Sequence, residues 1–385
     1  MKHPVDDANW PARLSAAIRA AGLHVTDDPA EQLVDTGLAH LHFRLPGSGM
    51  LARVPKQSQM QLGADANLAY QAACFERMAP SGHTPRLFGV LPASRYLPRG
   101  ALLVEEIMGR AARLPGDLPA LAQALAAIHS LPLPDRAGRQ QLLDPVDSLA
   151  ALLQEIDAQA MHLSSVHVAR LSRARIESVL QGVREQMAFW TQPPRRLIAF
   201  DAHPGNFMIR ANGDAVLVDL EKGRYGPPAL DVAHATLYTS TTWDATHRIA
   251  LDADAIAETY LQWQAALGSQ VAGSARSWLV LRSAMWLWSV TWCAKWLDSA
   301  GRAADSGATG EDWSTQLSAD TLVAHVRERV QHYLSPVVVE QVVSGFDELS
   351  MRLITCAGKP FHSAQPLRHL REGRIDQLQE VGSSL

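Results

Sequence analysis

The sequence predicts an α+β protein of two lobes, a small β-rich one to about residue 105 and a larger helical one over 106–385, on three observations. Short apolar runs broken by turn residues fill the first hundred positions. Beyond about residue 110, apolar residues recur at helical spacing. Near residue 200 a strand, a loop and a hairpin interrupt the helices. A chain of 385 residues has room for two such cores.

In the first lobe, Leu38 to Leu45 reads as a strand, Pro46-Gly47-Ser48-Gly49 as a turn and Met50 to Val54 as the returning strand. A helix is expected over Ala64 to Met78, closed by Ser81-Gly82-His83. Leu87 to Leu91 and Leu102 to Glu106 are two further strands. In the second lobe, Asp117 reads as the N-cap of a helix carrying Leu118, Leu121, Leu125 and Ile128, which Pro132 stops. Residues 146–190 repeat the helical pattern. Leu197 to Phe200 then reads as a buried strand, and Phe207 to Asp219 as a hairpin turning at Asn212-Gly213. Asp298 to Gln316, rich in Gly, Ala, Ser and Asp, reads as a surface loop. Residues 319–385 form a helical extension, with Val339, Val342, Val343, Phe346, Leu349 and Leu353 on one face of a helix opened by Ser335-Pro336.

Composition narrows the function. Hydrophobic residues make up 47% and charged residues 19% of the chain, as in a soluble enzyme. A net charge of −4 without a basic run disfavours a nucleic-acid partner, which needs a positive face. MKHPVDDANW has no apolar segment to serve as a secretory leader, and Arg282 and Lys295 interrupt the most apolar stretch, Trp278 to Leu297. No membrane partner is expected. Cys74, Cys293 and Cys356 show neither metal nor redox spacing, which suits a reducing, cytoplasmic setting.

Asp201, Asn206 five residues later and Asp219 thirteen after that carry the chemistry. A strand, a tight loop and a hairpin would bring two carboxylates and an amide oxygen to one end of a small sheet. Hard oxygen donors of this kind suit Mg²⁺ with phosphate and water in its remaining positions. Phosphoryl transfer needs little more than such a cation and a carboxylate to orient a hydroxyl.

Asp201-x-His203-Pro204-Gly205-Asn206, then Leu217-Val218-Asp219-Leu220-Glu221 and Pro228-x-x-Asp231-Val232-Ala233, resembles the aminoglycoside phosphotransferase and choline kinase-like family. The resemblance covers roughly residues 30–300 and implies a protein-kinase-like fold, in which the first lobe covers the nucleotide. It also implies transfer of the γ-phosphoryl of ATP to a hydroxyl of a small molecule. Carried over residue by residue, Asp201 would be the catalytic base, and Asn206 and Asp219 the Mg²⁺ ligands. His203 and Asp231 would brace the loop, Asp231 by accepting backbone hydrogen bonds. Gly37, in Asp35-Thr36-Gly37-Leu38, would belong to the turn over the phosphates and Arg53 would pair with the α- and β-phosphates. The Glu105 carbonyl and Ile107 N–H, in the segment joining the lobes, would pair with adenine.

Two positions depart from the family pattern. Ala199 stands where the family has a histidine two residues before the catalytic aspartate, and the helix that should supply a glutamate to Arg53 has only Glu76, near its end, with Gln71 as a possible substitute. They leave open a second reading, a catalytically weak pseudokinase or nucleotide-binding scaffold. A helical interaction protein is a third, resting on the C-terminal helices. Trp288, Trp292 and Trp296 share a helix face and read as either a core seam or an aromatic acceptor wall, and Trp243-Asp244 is a further candidate for lining the acceptor pocket. His40 and His42 share a strand face and read as a polar face rather than a zinc pair. The identity of the acceptor and the oligomeric state stay open.

Overall fold

The computed structural model of the chain describes residues 9–357, apart from 24, 26–27, 35–36, 245–246 and 301–317, with side chains to 353. Asp35 and Thr36, Cys356 as a side chain, most of the loop expected after Asp298, and the chain beyond 357 therefore lie outside the described residues.

Helix α1 (Trp10–Ala20) precedes strands β1 (Glu31–Gln32), β2 (His40–Leu45) and β3 (Met50–Pro55), helix α2 (Ala64–Met78), and strands β4 (Leu87–Leu91) and β5 (Ala101–Glu105). The five strands form one antiparallel sheet in the order β1-β2-β3-β5-β4. Strand periodicity sends alternate side chains to opposite faces. Phe43, Leu45, Ala52, Val54 and Leu103 pack with Leu14 and Ile18 of α1, while Leu102 and Val104 join Leu68, Phe75 and Met78 of α2. Arg53, between Ala52 and Val54, consequently faces the α2 side. Sequence reasoning did not anticipate α1, the helix that covers the other face.

After β6 (Arg110–Ala111) come helices α3 (Leu118–His129), α4 (Ser148–Ala160) and α5 (Arg170–Gln186). Short strands β7 (Arg196–Ile198), β8 (Phe207–Ile209), β9 (Ala215–Leu217) and β10 (Arg224–Gly226) follow. Among the described residues the remaining elements are helices: α6 (Ala229–Thr236), α7 (Tyr238–Thr241), α8 (Ala253–Leu267), α9 (Ser269–Ala272), α10 (Ala275–Ser299), α11 (Asp320–Tyr333) and α12 (Pro336–Ala357). Ser274 and Ser277 cap α10 reciprocally. This helix is the axis of the lobe, packing against α4, α5, α6, α11 and α12, with Trp278, Trp286 and Trp296 buried along it. Val339, Val342, Val343, Leu349 and Leu353 of α12 join the same core.

Three local expectations change. Asp117 occupies the position before α3 but makes no capping bond; its backbone is already helical, and its carboxylate instead takes Arg110 and the Arg113 N–H. Strand β7 does not join the hairpin: it pairs with β10, while hairpin β8–β9 pairs with β6. The 3₁₀ turn at Pro204–Asn206 redirects the chain between them, so the expected single small sheet is two. The hairpin turn is longer than two residues, closed by Arg210 and Asp214, with Gly213 at φ +91°, a conformation that costs glycine least. Finally, α10 runs through Asp298, where a loop was expected to begin.

Candidate active site

The loop that carries Asp201 is fixed from beneath. Asp231, in the first turn of α6, is wholly buried; its Oδ2 accepts the Ala199 N–H at 2.7 Å and its Oδ1 the Phe200 N–H at 2.8 Å. His129 Nε2 lies 3.1 Å from the same carboxylate, and the Trp263 indole N–H donates to His129 Nδ1 at 2.9 Å. Because an indole only donates, His129 Nδ1 must accept, which leaves Nε2 as the protonated nitrogen facing Asp231. Phe200 adopts φ +63°, a left-handed backbone that costs a non-glycine residue roughly 1–3 kcal/mol. It stands immediately before Asp201, and the two bonds to Asp231 hold that turn in place.

The loop then closes on itself. His203 Nδ1 accepts the Gly205 N–H at 3.1 Å, and the Asn206 Nδ2 donates to the Asp201 carbonyl at 2.9 Å. The Val218 N–H donates to the Asn206 carbonyl at 2.9 Å, tying the loop to the residue before Asp219. Asp201, Asn206 and the residue before Asp219 are thus linked by one side-chain and one main-chain bond across a short loop and a strand end.

Asp219 is reached from the other lobe. Arg53 Nη2 donates to Asp219 Oδ1 at 2.6 Å and Arg53 Nη1 to the Val218 carbonyl at 2.7 Å. Burial, the largest influence, would raise the Asp219 carboxyl, but Arg53, with His40 and Lys222, holds the group below the carboxylate range. Its Oδ2 takes no hydrogen bond from the described residues. Around this pair lies a group that sequence reasoning missed. His40 Nε2 is 3.0 Å from Gln71 Oε1, and His40 Nδ1 is 3.4 Å from Arg53 Nη2. Gln71 therefore reaches Arg53 through His40 rather than directly. Glu221 is buried, 3.9 Å from His40 Nε2, with its Oε1 unpartnered; burial, then Asp219, pushes its carboxyl up to about 8. His40, Asp219 and Glu221 could offer ligand atoms to a cation, the three lying within 4.8 Å of one another. His40 and His42 do not act as a pair: both His40 nitrogens face Gln71 or Arg53.

The opposite side of Asp201 is bordered by cations. Lys222 Nζ donates to Asp201 Oδ2 at 2.7 Å and lies 5.2 Å from the centre of the Trp288 ring. Burial, the largest influence, would raise the Asp201 carboxyl, but Lys222 with His234 and His203 together hold the group low. His234, 3.7 Å from Asp201 Oδ1, is pushed down to about 4, chiefly by burial. Arg224 lies 3.7 Å over the Phe200 ring and bonds Glu155 at 2.6 Å, and Glu155 also accepts the Trp288 indole N–H at 3.1 Å. Lys222 and Arg224 followed the motif without any signal of their own.

The remaining predicted residues are placed as follows. Gly37 precedes β2, the rest of its turn being outside the described residues. Glu105 ends β5, its carboxylate taken by Arg210 and Arg86, and no acceptor among the described residues takes the Ile107 N–H. The tryptophan face divides: Trp296 is core, Trp288 meets Phe200 edge-on at 5.2 Å, and Trp292 meets Trp243 at 6.1 Å between ring centres. Trp243 in turn stacks on Tyr333 of α11.

The profile of the phosphotransferase enzyme family (APH) matches residues 42–267. A search of curated proteins returned no match. Among solved structures, a choline/ethanolamine kinase family protein from Mesorhizobium loti is similar at a TM-score of 0.55 and 17% identity, over 88% of this chain and 98% of that one. Choline kinase LicA from Streptococcus pneumoniae is similar at 0.54 and 14%, over 89% and 100%. A spectinomycin phosphotransferase solved with ADP and spectinomycin is similar at 0.56 and 11%, over 88% and 98%. The fold is the protein-kinase-like one that the motifs imply, and no helix among the described residues is long and apolar enough to cross a membrane. With more than half of its length matched by the family profile, the chain belongs to the phosphotransferase enzyme family.

Proposed function

We propose that this chain transfers the γ-phosphoryl group of ATP to a hydroxyl of a small molecule, with Mg²⁺. The observation that supports the reading is the bonded frame Asp231–Phe200–Asp201–Asn206–Val218–Asp219, which links the loop of Asp201 and Asn206 to the strand end before Asp219. In this reading the acceptor hydroxyl gives its proton to the Asp201 carboxylate as its oxygen attacks the γ-phosphorus. The bond from that phosphorus to the bridging oxygen breaks, and ADP leaves.

The donors suit the cation. Asn206 uses its amide nitrogen on the Asp201 carbonyl, which turns its amide oxygen elsewhere, and Asp219 has one carboxylate oxygen outside the Arg53 contact. These two residues would hold Mg²⁺, which when bound neutralises charge on the phosphate oxygens. Arg53 steadies Asp219 and the phosphates, Gly37 belongs to the turn over them, and the Glu105 carbonyl and Ile107 N–H take adenine. His203 and Asp231 keep the loop in shape.

The Asp201–Lys222 contact favours a second reading, a nucleotide-binding scaffold of little or no turnover, since the base must share its carboxylate with an acceptor. One experiment separates the two. Mg-ATP should raise the unfolding temperature of the purified protein, and a panel of hydroxylated compounds should include one that elicits ADP release with a matching phosphorylated product. Stabilisation without any product supports the scaffold, and no Mg-ATP stabilisation contradicts both.

A further inference from the structure

We infer that the acceptor side of the site selects a hydroxyl compound without positive charge, neutral or anionic, and that Lys222 is the residue that sets this preference. The inference rests on the reading of Asp201 as the group that receives the acceptor. Any hydroxyl delivered to Asp201 comes close to the Lys222 ammonium, which is 2.7 Å from Asp201 Oδ2. A cationic acceptor needs a carboxylate or a vacant aromatic face nearby. Among the described residues that touch Lys222 and Arg224, neither is left unengaged. Asp201 is paired with Lys222, and Glu155 with Arg224 and the Trp288 indole. The Trp288 ring carries Lys222 and the Phe200 ring carries Arg224.

Both cations are largely buried, at 7% and 8% exposure, so solvent screens them weakly against a second positive charge. A protonated amine or quaternary ammonium would therefore meet the Lys222 ammonium beside the atom that must receive its hydroxyl, with Arg224 over the neighbouring Phe200 ring. A polyol or hydroxy acid would meet hydrogen-bond donors. Asp244 also acts on His203, but it is exposed and its carboxylate accepts the His247 N–H.

The test compares choline and an aminoglycoside with neutral polyols and hydroxy acids, in the parent, Lys222→Glu and Lys222→Arg. Binding is followed by calorimetry with an unreactive ATP analogue and Mg²⁺, and turnover by ADP release. In the parent, polyols or hydroxy acids should bind and cations should not. Lys222→Glu should shift the cation-to-neutral affinity ratio at least tenfold towards the cation, whereas Lys222→Arg should keep the parent ratio. Tighter binding of a cation by the parent, or a ratio unchanged in folded Lys222→Glu, overturns the inference. If the parent binds polyols selectively but releases no ADP, the phosphotransfer reading fails while this preference stands.

Discussion

Asp219, at the end of the hairpin, and Asp231, in the first turn of α6, are two carboxylates beside the Asp201 loop, yet their surroundings differ in kind. Asp231 is wholly buried, and the two backbone N–H groups and His129 use both of its oxygens. All of these partners belong to the helical lobe and its loop. Asp219 is a quarter exposed in its side chain, and among the described residues only Arg53, from the other lobe, bonds it. A carboxylate whose lone pairs are used inside the protein is a structural brace. One left with an oxygen to spare beside a buried cation is available to a ligand.

Breaking the brace should give the largest effect. Asp231→Ala leaves three donors without a partner in a buried setting, and each such group costs about 1–3 kcal/mol. A loss of roughly 3 kcal/mol or more in chemical denaturation is expected. Asp231→Asn keeps one acceptor oxygen, so it should cost less while still depressing turnover through the released Asp201 loop. Parent-like stability in both variants would show that the loop is held by other means.

Asp219→Ala sharpens the contrast from the other side. It should abolish Mg²⁺-dependent nucleotide binding, measured by calorimetry, together with turnover. It also leaves Arg53, at 3% exposure, without its charge partner. That adds roughly 2 kcal/mol of destabilisation, below the usual value for a buried pair because Asp219 itself is partly exposed. Unchanged Mg-ATP affinity would contradict the metal assignment.

His234 is expected to matter on acidification rather than at neutral pH, where its imidazole is uncharged folded or unfolded. Its pKa falls from 6.5 to about 4 on folding, so stability is unaffected by its charge above pH 6.5 and declines as pH falls towards 4. Across that window the loss amounts to up to about 3 kcal/mol. His234→Phe cannot titrate, so the stability of the parent relative to that variant should decline over this window. A parallel pair of pH–stability curves would rule the contribution out.

How far the sequence revealed these regions follows from what fixed each part. Asp201, Asn206, Asp219 and Asp231 lie within 31 positions and are joined by local main-chain geometry, so their spacing carried the information. Helix α2 was legible to the residue because its apolar face and its punctuation agree. The partners were not. Arg53 meets Asp219 across 166 positions, and His129 meets Asp231 across 102. Such contacts come from lobe packing, which no local pattern encodes. Lys222 was near the motif but unmarked, since a lysine in a loop ordinarily reads as solvated. Helix α1 went unnoticed within a stretch read as β-rich, although Asn9 caps it and Pro11 lies in its first turn. The pairing of β7 with β10 rather than the hairpin depends on the redirecting turn at Pro204–Asn206.

The role of Asp201 is tested most directly by comparing Asp201→Asn with the parent for ADP release and for Mg-ATP affinity in the same preparation. Asparagine keeps the shape of the group and a hydrogen-bond acceptor, but it cannot take the acceptor's proton. Turnover should fall by about 10²-fold or more while Mg-ATP affinity stays within a few-fold of the parent. Parent-like turnover in Asp201→Asn would contradict the account.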